Sequence, residues 1–288
     1  MSEFLQVLVA GLAAGGIYGA VAVGFSLLWR TARVINFAQG DVLMVGTFTA
    51  LTAHESWHLN LGLAVVIGIA AAAVLGIVIE LAIFRPLRKV PVWSGIVATL
   101  GLSIVLENAA LRVFGAAPKA FPSYVGNSTW HWGSVAIDPQ SIATIGGCVA
   151  MVVLLEVWLR LTTSGRAVRA VAQDGDAARS VGINANRMIL AATAVSCAIA
   201  GAAGILLGPT TFVSFNMGIP ISLLGFSAAI VGGLGSVRGA VIGGLALGVA
   251  EQILTSYVST VYTEALLYAV VVVVLITRPQ GLLREAAL

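Results

Sequence analysis

"FLQVLVAGLAAGGIYGAVAVGFSLLW", residues 4–29, is an apolar run without a single charged side chain. A helix needs about 20 such residues to cross the hydrocarbon core of a bilayer. The run is also longer than the apolar core of a cleavable signal peptide. It therefore predicts a retained first transmembrane helix.

The rest of the chain has the same character. Hydrophobic residues make up 59% of its 288 positions and charged residues 9%, whereas an average soluble domain has roughly 25% charged residues. This composition predicts an all-α integral membrane protein with one transmembrane domain over residues 1–288. We expect a polytopic bundle of eight or nine transmembrane helices, at 4–29, 34–53, 61–84, 93–114, 141–162, 187–208, 219–235, 239–258 and 261–277.

One of these segments is unlike the others. The stretch 209–235, "PTTFVSFNMGIPISLLGFSAAIVGGLG", contains Pro209, Pro220 and five glycines. Irregular backbone at membrane depth is tolerated where it is buried in protein or lines a cavity, and broken helices mark substrate paths in many transporters. We expect this segment to be broken or re-entrant, and a re-entrant segment would reduce the count to eight full crossings.

The net charge of +3 does not indicate a nucleic-acid partner. Its basic residues lie between the apolar runs, as in Arg30 with Arg33 and Arg85 with Arg88, instead of forming one face. Such clusters mark the cytoplasmic ends of membrane helices. Nine crossings with the N-terminus outside would place these arginines in the cytoplasm, in a multi-pass protein of the bilayer.

Glycines recur at helical spacing in two of the spans. One stripe is Gly11, Gly15 and Gly19, and a second contains Gly235, Gly239 and Gly243 with Gly244 and Gly248 beside them. Small residues at this spacing allow helices to approach closely. The stripes favour packing within one subunit, and a subunit interface is the alternative.

The longest loop on the predicted cytoplasmic side reads "TTSGRAVRAVAQDGDAARSVGINANRM", residues 162–188. It predicts two short helices, 167–172 and 177–181, with Asp176 capping the second and Gly182 ending it. Small side chains flanked by arginines suit a groove on another protein. The candidate contact residues in this loop, about 163–187, are Arg166, Arg169, Asp176, Ala177, Ala178 and Gly182.

The sequence of this loop resembles a known motif. "DAARSVG", residues 176–182, is similar to the Glu-Ala-Ala-x-x-x-Gly coupling motif of ABC-importer permeases, with Asp in place of Glu. Residues 15–41 ("GGIYGAVAVGFSLLWRTARVINFAQGD"), 165–184 ("GRAVRAVAQDGDAARSVGIN") and 228–249 ("AAIVGGLGSVRGAVIGGLALGV") look like a permease subunit of the branched-chain amino-acid ABC transporters. The closely related urea and short-amide permeases share these features.

The resemblance implies a function and a set of partners. Two permease subunits would form the path for branched-chain or other hydrophobic amino acids across a bacterial inner membrane. Two cytoplasmic ABC ATPase subunits would drive it, and a periplasmic substrate-binding protein would deliver the substrate. This chain contains no Gly-x-x-x-x-Gly-Lys-Ser/Thr phosphate loop, so we expect ATP hydrolysis in the partners and neither enzyme activity nor a cofactor or metal in this subunit.

Polar residues stand directly before the second apolar run. Asn36, Gln39 and Asp41 are expected to start this helix at the cytoplasmic side. Asp41 would favour the positive end of the helix dipole and pair with Arg33 or Arg30. Alternatively, the three side chains line the translocation path, because polar groups at membrane depth are costly and tend to face cavities.

Further candidates for the path lie inside other spans. Glu107 with Asn108, and Glu251 with its neighbour Gln252, are deeply placed polar pairs that would bind a cationic group, relay protons or bond internally. Thr210, Ser214 and Asn216 lie in the broken segment and are candidates for polar lining.

Two other classes of protein are considered. "HESWH", residues 54–58, matches the His-Glu-x-x-His pattern of zinc proteases, in which two histidines on one helical face bind the metal. An ion-coupled secondary transporter would instead use Glu107 and Glu251. Both classes rank below the ABC permease.

Overall fold

The computed structural model describes residues 2–88, 90–126, 130–132, 135–278 and 281–282 as a bundle of helices with one short hairpin. The first half contains α1 (Ser2–Ala32), α2 (Gln39–Glu55), α3 (Leu61–Ile79), a π-helical turn (Glu80–Phe84), α4 (Arg85–Leu87), α5 (Val92–Phe114) and the antiparallel strands β1 (Trp130–Trp132) and β2 (Val135–Ile137). The second half contains α6 (Pro139–Leu161), α7 (Thr163–Gln173), α8 (Gly175–Ser180), α9 (Ala185–Leu207), α10 (Gly218–Gly232), α11 (Val237–Tyr257) and α12 (Thr263–Thr277).

In the part of the chain that the structure describes, six helical segments are long and apolar enough to cross a membrane. They are α1, the continuous segment Leu61–Leu87, α5, α6, α9 and α11, while α10 and α12 are shorter apolar helices. The predicted polytopic helical fold is confirmed at this level. The bundle is that of a multi-pass membrane protein.

Helices α1 and α9 form the centre of the bundle. α1 packs against α11, α9 and α10, and α9 packs against α3 and α2. The peripheral helices α3, α5 and α6 turn large apolar side chains outward, among them Val74, Val97 and Leu154. So large an apolar surface is compatible with lipid and unfavourable in water.

The glycines of the two predicted stripes pack against helices of the same chain: Gly244 and Gly248 meet the α1 stripe, while Gly239 and Gly243 meet Gly232 of α10. Gly11, Gly15 and Gly19 of α1 face α11, where a Cβ added to Gly15 would lie 2.8 Å from the carbonyl oxygen of Gly244. Backbone therefore packs on backbone over several turns, as small-residue stripes allow. The expectation of packing within one subunit is confirmed.

Two segments enter the bundle without helical structure. Residues 208–217 precede α10, which confirms the expected break in the 209–235 segment. Residues 33–38 precede α2 in the same way, and the predicted start of that helix at residue 34 is wrong because α2 begins at Gln39. Proline and glycine signalled the break at 208–217, whereas residues 33–38 contain neither.

The two breaks converge at one level of the bundle. Gln39 contacts Ser196, which stands midway along α9, and Gly40 lies against Gly218 with no room for a side chain on either residue. From this point α2 runs towards the end of the bundle where α9 finishes. α10 runs the opposite way, towards the end where Gly232 meets Gly239 at the start of α11.

That second end of the bundle is rich in arginine. Arg30, Arg160, Arg169 and Arg238 line a cavity of about 280 Å³ there, together with residues of α1, α6 and α7. We call it the arginine end. The opposite end carries residues 115–126, which follow α5. Lys119 there pairs with Val213 through backbone hydrogen bonds of 2.9 and 2.8 Å and so holds the 208–217 segment.

Candidate functional site

A network of buried polar side chains holds the start of α2, and we call it the polar junction: Asn36, Gln39, Asp41, Ser196 and Ser222. Gln39 is fully buried; its Oε1 accepts a hydrogen bond from Asn36 Nδ2 at 3.1 Å. Its Nε2 donates to the backbone oxygen and to Oγ of Ser196, both at 3.0 Å. Ser196 Oγ in turn donates to the carbonyl of Gly24 at 3.0 Å, so the junction ties α2 to both α9 and α1.

Side chains from two other helices satisfy the irregular backbone before α2. Ser222 Oγ of α10 accepts from the Gly40 amide at 3.0 Å and donates to the Phe37 carbonyl at 2.8 Å. Thr99 Oγ1 of α5 accepts from the Phe37 amide at 3.2 Å. Backbone groups this deep in a membrane protein require such partners. Sequence reasoning missed these residues because a lone Ser or Thr in an apolar helix carries no local signal.

Asp41 is the exception in this network. It is 1% exposed, and neither carboxylate oxygen has a hydrogen-bond partner in the described part of the chain. The expected ion pair with Arg33 or Arg30 is therefore wrong, and Arg33 lies over the Trp29 ring at 5.7 Å instead. The expected position at the cytoplasmic side is also wrong, since α2 begins level with the middle of α9.

The side chains that interact with Asp41 come from α5. They are the buried Ser103 hydroxyl and the half-buried Glu107 carboxylate, which stand one turn apart on the same helix. Glu107 thus belongs beside the polar junction, as a path residue would. Asn108 does not, because it is exposed on α5 and bonds the Ile104 carbonyl of its own helix at 2.8 Å.

The other path candidates lie elsewhere. Glu251 of α11 interacts with Tyr18 of α1 and with Glu264 of α12, so it does not join Asp41. Thr210, Ser214 and Asn216 lie in the irregular segment before α10, where Ser214 Oγ donates to Asn216 Oδ1 at 2.9 Å. Thr210 and Asn216 are exposed. These three residues lie in the segment that leads into α10 from the end opposite the arginine end.

The loop between α6 and α9 forms the two predicted short helices, with a different cap. Asp174 caps α8, since its Oδ1 accepts from the amides of Asp176 and Ala177 at 3.0 and 2.9 Å. The expectation that Asp176 caps this helix is wrong, and Asp176 pairs with Arg179 at 3.1 Å on the surface. Gly182, with φ of 86°, ends the helix as expected.

The exposed face of α8 differs from the one expected. Ala178 is 4% exposed and packs on Val171 of α7 and Ile189 of α9, so it holds the loop to its own chain. Ala177 is exposed, and Val181 is 76% exposed. Arg166 and Arg169 lie on the exposed side of α7. Sequence reasoning missed Val181, an apolar side chain that projects from the tip of this loop. Its position beside Gly182, which ends the helix, was the available signal.

A buried ion pair lies near this loop at the π-helical turn that follows α3. Glu80, 1% exposed, pairs with Arg88 and accepts a hydrogen bond from Thr193 of α9 at 3.2 Å. Arg88 also donates to Asn186 in the first turn of α9. π-Helical turns recur at functional positions. This one joins α3 to α9 through Glu80 and Thr193.

The His-Glu-x-x-His pattern does not form a helical zinc site. α2 ends at Glu55, and His58 follows in the loop with φ of 53°. His54 Nδ1 contacts the Leu59 carbonyl at 2.9 Å. The two histidines therefore do not share one helical face. Among the residues that the structure describes, no three His, Cys, Asp or Glu side chains lie close enough to hold a metal.

Comparison with known proteins gives the family. The family described as branched-chain amino acid transport system / permease component matches residues 7–275. The chain belongs to this permease family. The permease is 32% identical to the high-affinity branched-chain amino acid transport system permease protein LivH of Salmonella typhimurium, over 97% of this chain and 95% of the relative.

Other relatives extend the same similarity. BraD of Pseudomonas aeruginosa, a permease of the same description, is 31% identical over 98% of this chain and 96% of its own. A probable LivH of Methanocaldococcus jannaschii is 29% identical over 91% of this chain and 87% of its own. Among solved structures, PsaBC from Streptococcus pneumoniae in complex with Fab matches with a TM-score of 0.51 at 15% identity, over 96% of this permease and 93% of that chain. That likeness concerns the fold alone.

Proposed function

We propose that this permease forms the translocation path of an ABC importer for branched-chain or other hydrophobic amino acids in a bacterial inner membrane. The observation that carries the proposal is the similarity over nearly the whole chain to permeases named for branched-chain amino acid transport. The polar junction supports it, because buried polar groups between membrane helices mark transport paths. Urea and short amides are the alternative substrates.

The proposed topology has nine crossings with the N-terminus outside. α2 and α10, each with its irregular lead segment, make one crossing apiece, beside the six long spans and α12. The arginine end then faces the cytoplasm, in agreement with the distribution of positive charge in membrane proteins. Residues 115–126 face the periplasm, where a substrate-binding protein would dock.

The α7–α8 loop is the proposed contact with the ATPases. Its exposed residues Asp176, Ala177 and Val181 are available to a partner, with Arg166 and Arg169 at its flank. α7 packs against α1, α6 and α9, so a displacement of the loop would move the helices that hold Gln39. Two ATPase subunits, a second permease subunit and a periplasmic binding protein complete the proposed importer.

The proposed path runs past the polar junction. Asp41 belongs to the junction and Glu107 lies beside it, while Thr210, Ser214 and Asn216 line the approach from the outer end. Asn36 and Gln39 hold the start of α2 in position. In this conformation Asp41 is closed off from the surface. Transport therefore requires a second state in which this region opens, and each ligand shifts the balance by binding the two states unequally.

Uptake into proteoliposomes tests the proposal. The permease is reconstituted with its second permease subunit, ATPases and binding protein, and uptake of labelled leucine, isoleucine, valine and urea is measured. We expect ATP-dependent uptake of the three amino acids. Uptake of urea alone would identify the amide-transporting alternative. Uptake without ATPases that collapses with the ion gradient would identify a secondary transporter.

A further inference from the structure

Asp41 is a buried carboxylate that pairs with no positively charged side chain in the described part of the chain. Both of its oxygens are shielded from solvent and lack hydrogen bonds in the described part of the chain. An unpaired charge in such surroundings is costly unless a partner arrives. Its position at the first turns of α2 and beside Gly218, the first residue of α10, supplies some stabilisation through two helix dipoles.

The groups that face Asp41 share one property. Ser103 contributes a hydroxyl and Glu107 a second carboxylate, so the three side chains offer mainly acceptor oxygens. Two ionised carboxylates placed to interact repel each other, and the repulsion is relieved when one of them is protonated or when a positive group lies between them. The complementary ligand is a small cation that donates several hydrogen bonds.

The surroundings of this cluster select a particular cation. Leu100 and Ile104 flank Ser103 along α5, and Ile219 and Leu223 lie in the first turns of α10, which begins beside Asp41. A ligand with an ammonium group and a branched aliphatic chain would pair with the two carboxylates and pack against these apolar side chains. We propose that Asp41, Ser103 and Glu107 bind the α-ammonium group of the transported amino acid, while the apolar residues of α5 and α10 contact its side chain.

The inference rests on the proposed function and adds a specificity element to it. The cluster opens outward from the buried Asp41 to the half-buried Glu107. α5, which carries two of the three groups, makes its principal contacts only with α2 and the π-helical turn. A displacement of α5 from α2 would admit the ammonium group. Urea has no ammonium group and would gain nothing from the two carboxylates.

Transport per ATP hydrolysed tests the role of Asp41. The full importer is reconstituted with Asp41→Asn, and leucine uptake and ATP hydrolysis are measured in the same vesicles. Removing a charge-assisted contact is expected to lower leucine uptake per ATP by about tenfold to a hundredfold, while ATP hydrolysis continues. Glu156→Gln, in a surface ion pair with Arg160, is the matched control and leaves the ratio unchanged. An unchanged ratio in Asp41→Asn overturns the inference.

Thiol protection tests the chemistry of the ligand and does not depend on the Asp41 variant. The native Cys148 and Cys197 are buried, so Leu100→Cys supplies the reactive thiol in the full importer. Leucine and 3-methylbutylamine, which carry an ammonium group, are expected to slow labelling about tenfold. 4-Methylpentanoate, which lacks one, is expected to leave labelling unchanged, and equal protection by this acid overturns the inference.

The outcomes separate the two proposals. If the wild-type importer takes up urea and not leucine, the proposed function is wrong. If it takes up leucine while 3-methylbutylamine gives no protection and Asp41→Asn transports normally, the function stands and the ammonium site is wrong. Protection by sodium ions in place of the amine would assign the cluster to a metal cation and also overturn the inference.

Discussion

Gly40 of α2 and Gly218 of α10 touch through their backbones at the point where both helices begin. A Cβ on Gly218 would lie 2.6 Å from Asp41 Oδ1, and a Cβ on Gly40 would overlap the Gly218 carbonyl. The contact fixes the spacing between two helix starts inside the bundle. It also keeps Asp41 beside α10.

Gly40→Ala is expected to destabilise the permease. The added methyl group meets backbone and cannot be accommodated by a change of rotamer, and overpacking of this kind costs about 1–3 kcal/mol or more. The measurement is the thermal unfolding midpoint of the purified protein in detergent. Gly101→Ala in α5 is the control because a Cβ there meets nothing within 4 Å. Equal midpoints for the two variants would contradict the close contact.

Glu80→Gln is expected to destabilise the junction of α3 with α9. Breaking a buried ion pair leaves Arg88 without its charged partner, and such losses cost about 3–5 kcal/mol. Thermal unfolding checks the change, with Glu156→Gln in the exposed pair with Arg160 as the control, for which a loss of at most about 1 kcal/mol is expected. A control that loses as much as Glu80→Gln would show that the buried pair has no special weight.

Val181→Glu is expected to weaken binding of the ATPase subunits without affecting membrane insertion. Val181 projects from the α7–α8 loop, and a charge there would be buried unpaired in an apolar contact. Co-purification of the ATPases with the tagged permease measures the effect. Val261→Glu is the control, since Val261 is equally exposed in the turn between α11 and α12 at the opposite end. Normal recovery of the ATPases with Val181→Glu would place their contact elsewhere.

Asp174→Ala is expected to loosen α8. Loss of an N-cap costs about 1 kcal/mol, which in a helix of six residues is a large share of its local stability. Hydrogen exchange at the amides of Asp176 and Ala177 should accelerate several-fold. Asp176→Ala is the comparison, and we expect little acceleration at Ala177 because the bond there comes from Asp174. The reverse order of the two variants would restore Asp176 as the cap.

The helical architecture could be predicted from the sequence because a helix that crosses lipid needs a long apolar run, and such runs are visible in the sequence. The last four predicted spans differ from α9 to α12 by at most three residues at either end. The glycine stripes of α1 and α11 could also be recognised from the sequence, since small residues at helical spacing in a membrane helix usually mark close helix packing. The break before α10 was predicted from Pro209 and Pro220.

The break before α2 could not be predicted in this way. Val34 and Ile35 are apolar and continue the hydropathy of a span, and what keeps them out of a helix is a set of distant partners. Ser222 and Thr99 bond to the backbone there and Ser196 bonds to the Gln39 side chain. None of the three is close to this segment in the sequence. The prediction of Asp176 as the cap, in place of Asp174, was wrong for a more local reason. Two acidic residues two positions apart fit the same capping pattern.

The distance along the chain between these partners bears on how the protein is made. The side-chain amide of Gln39 and the backbone amide of Gly40 donate to serines that lie 157 and 182 residues later. The ribosome thus releases the first helices into the bilayer long before their acceptors exist. The N-terminal half must wait, with part of its backbone hydrated or held by the insertion machinery, until α9 and α10 arrive to close the bundle.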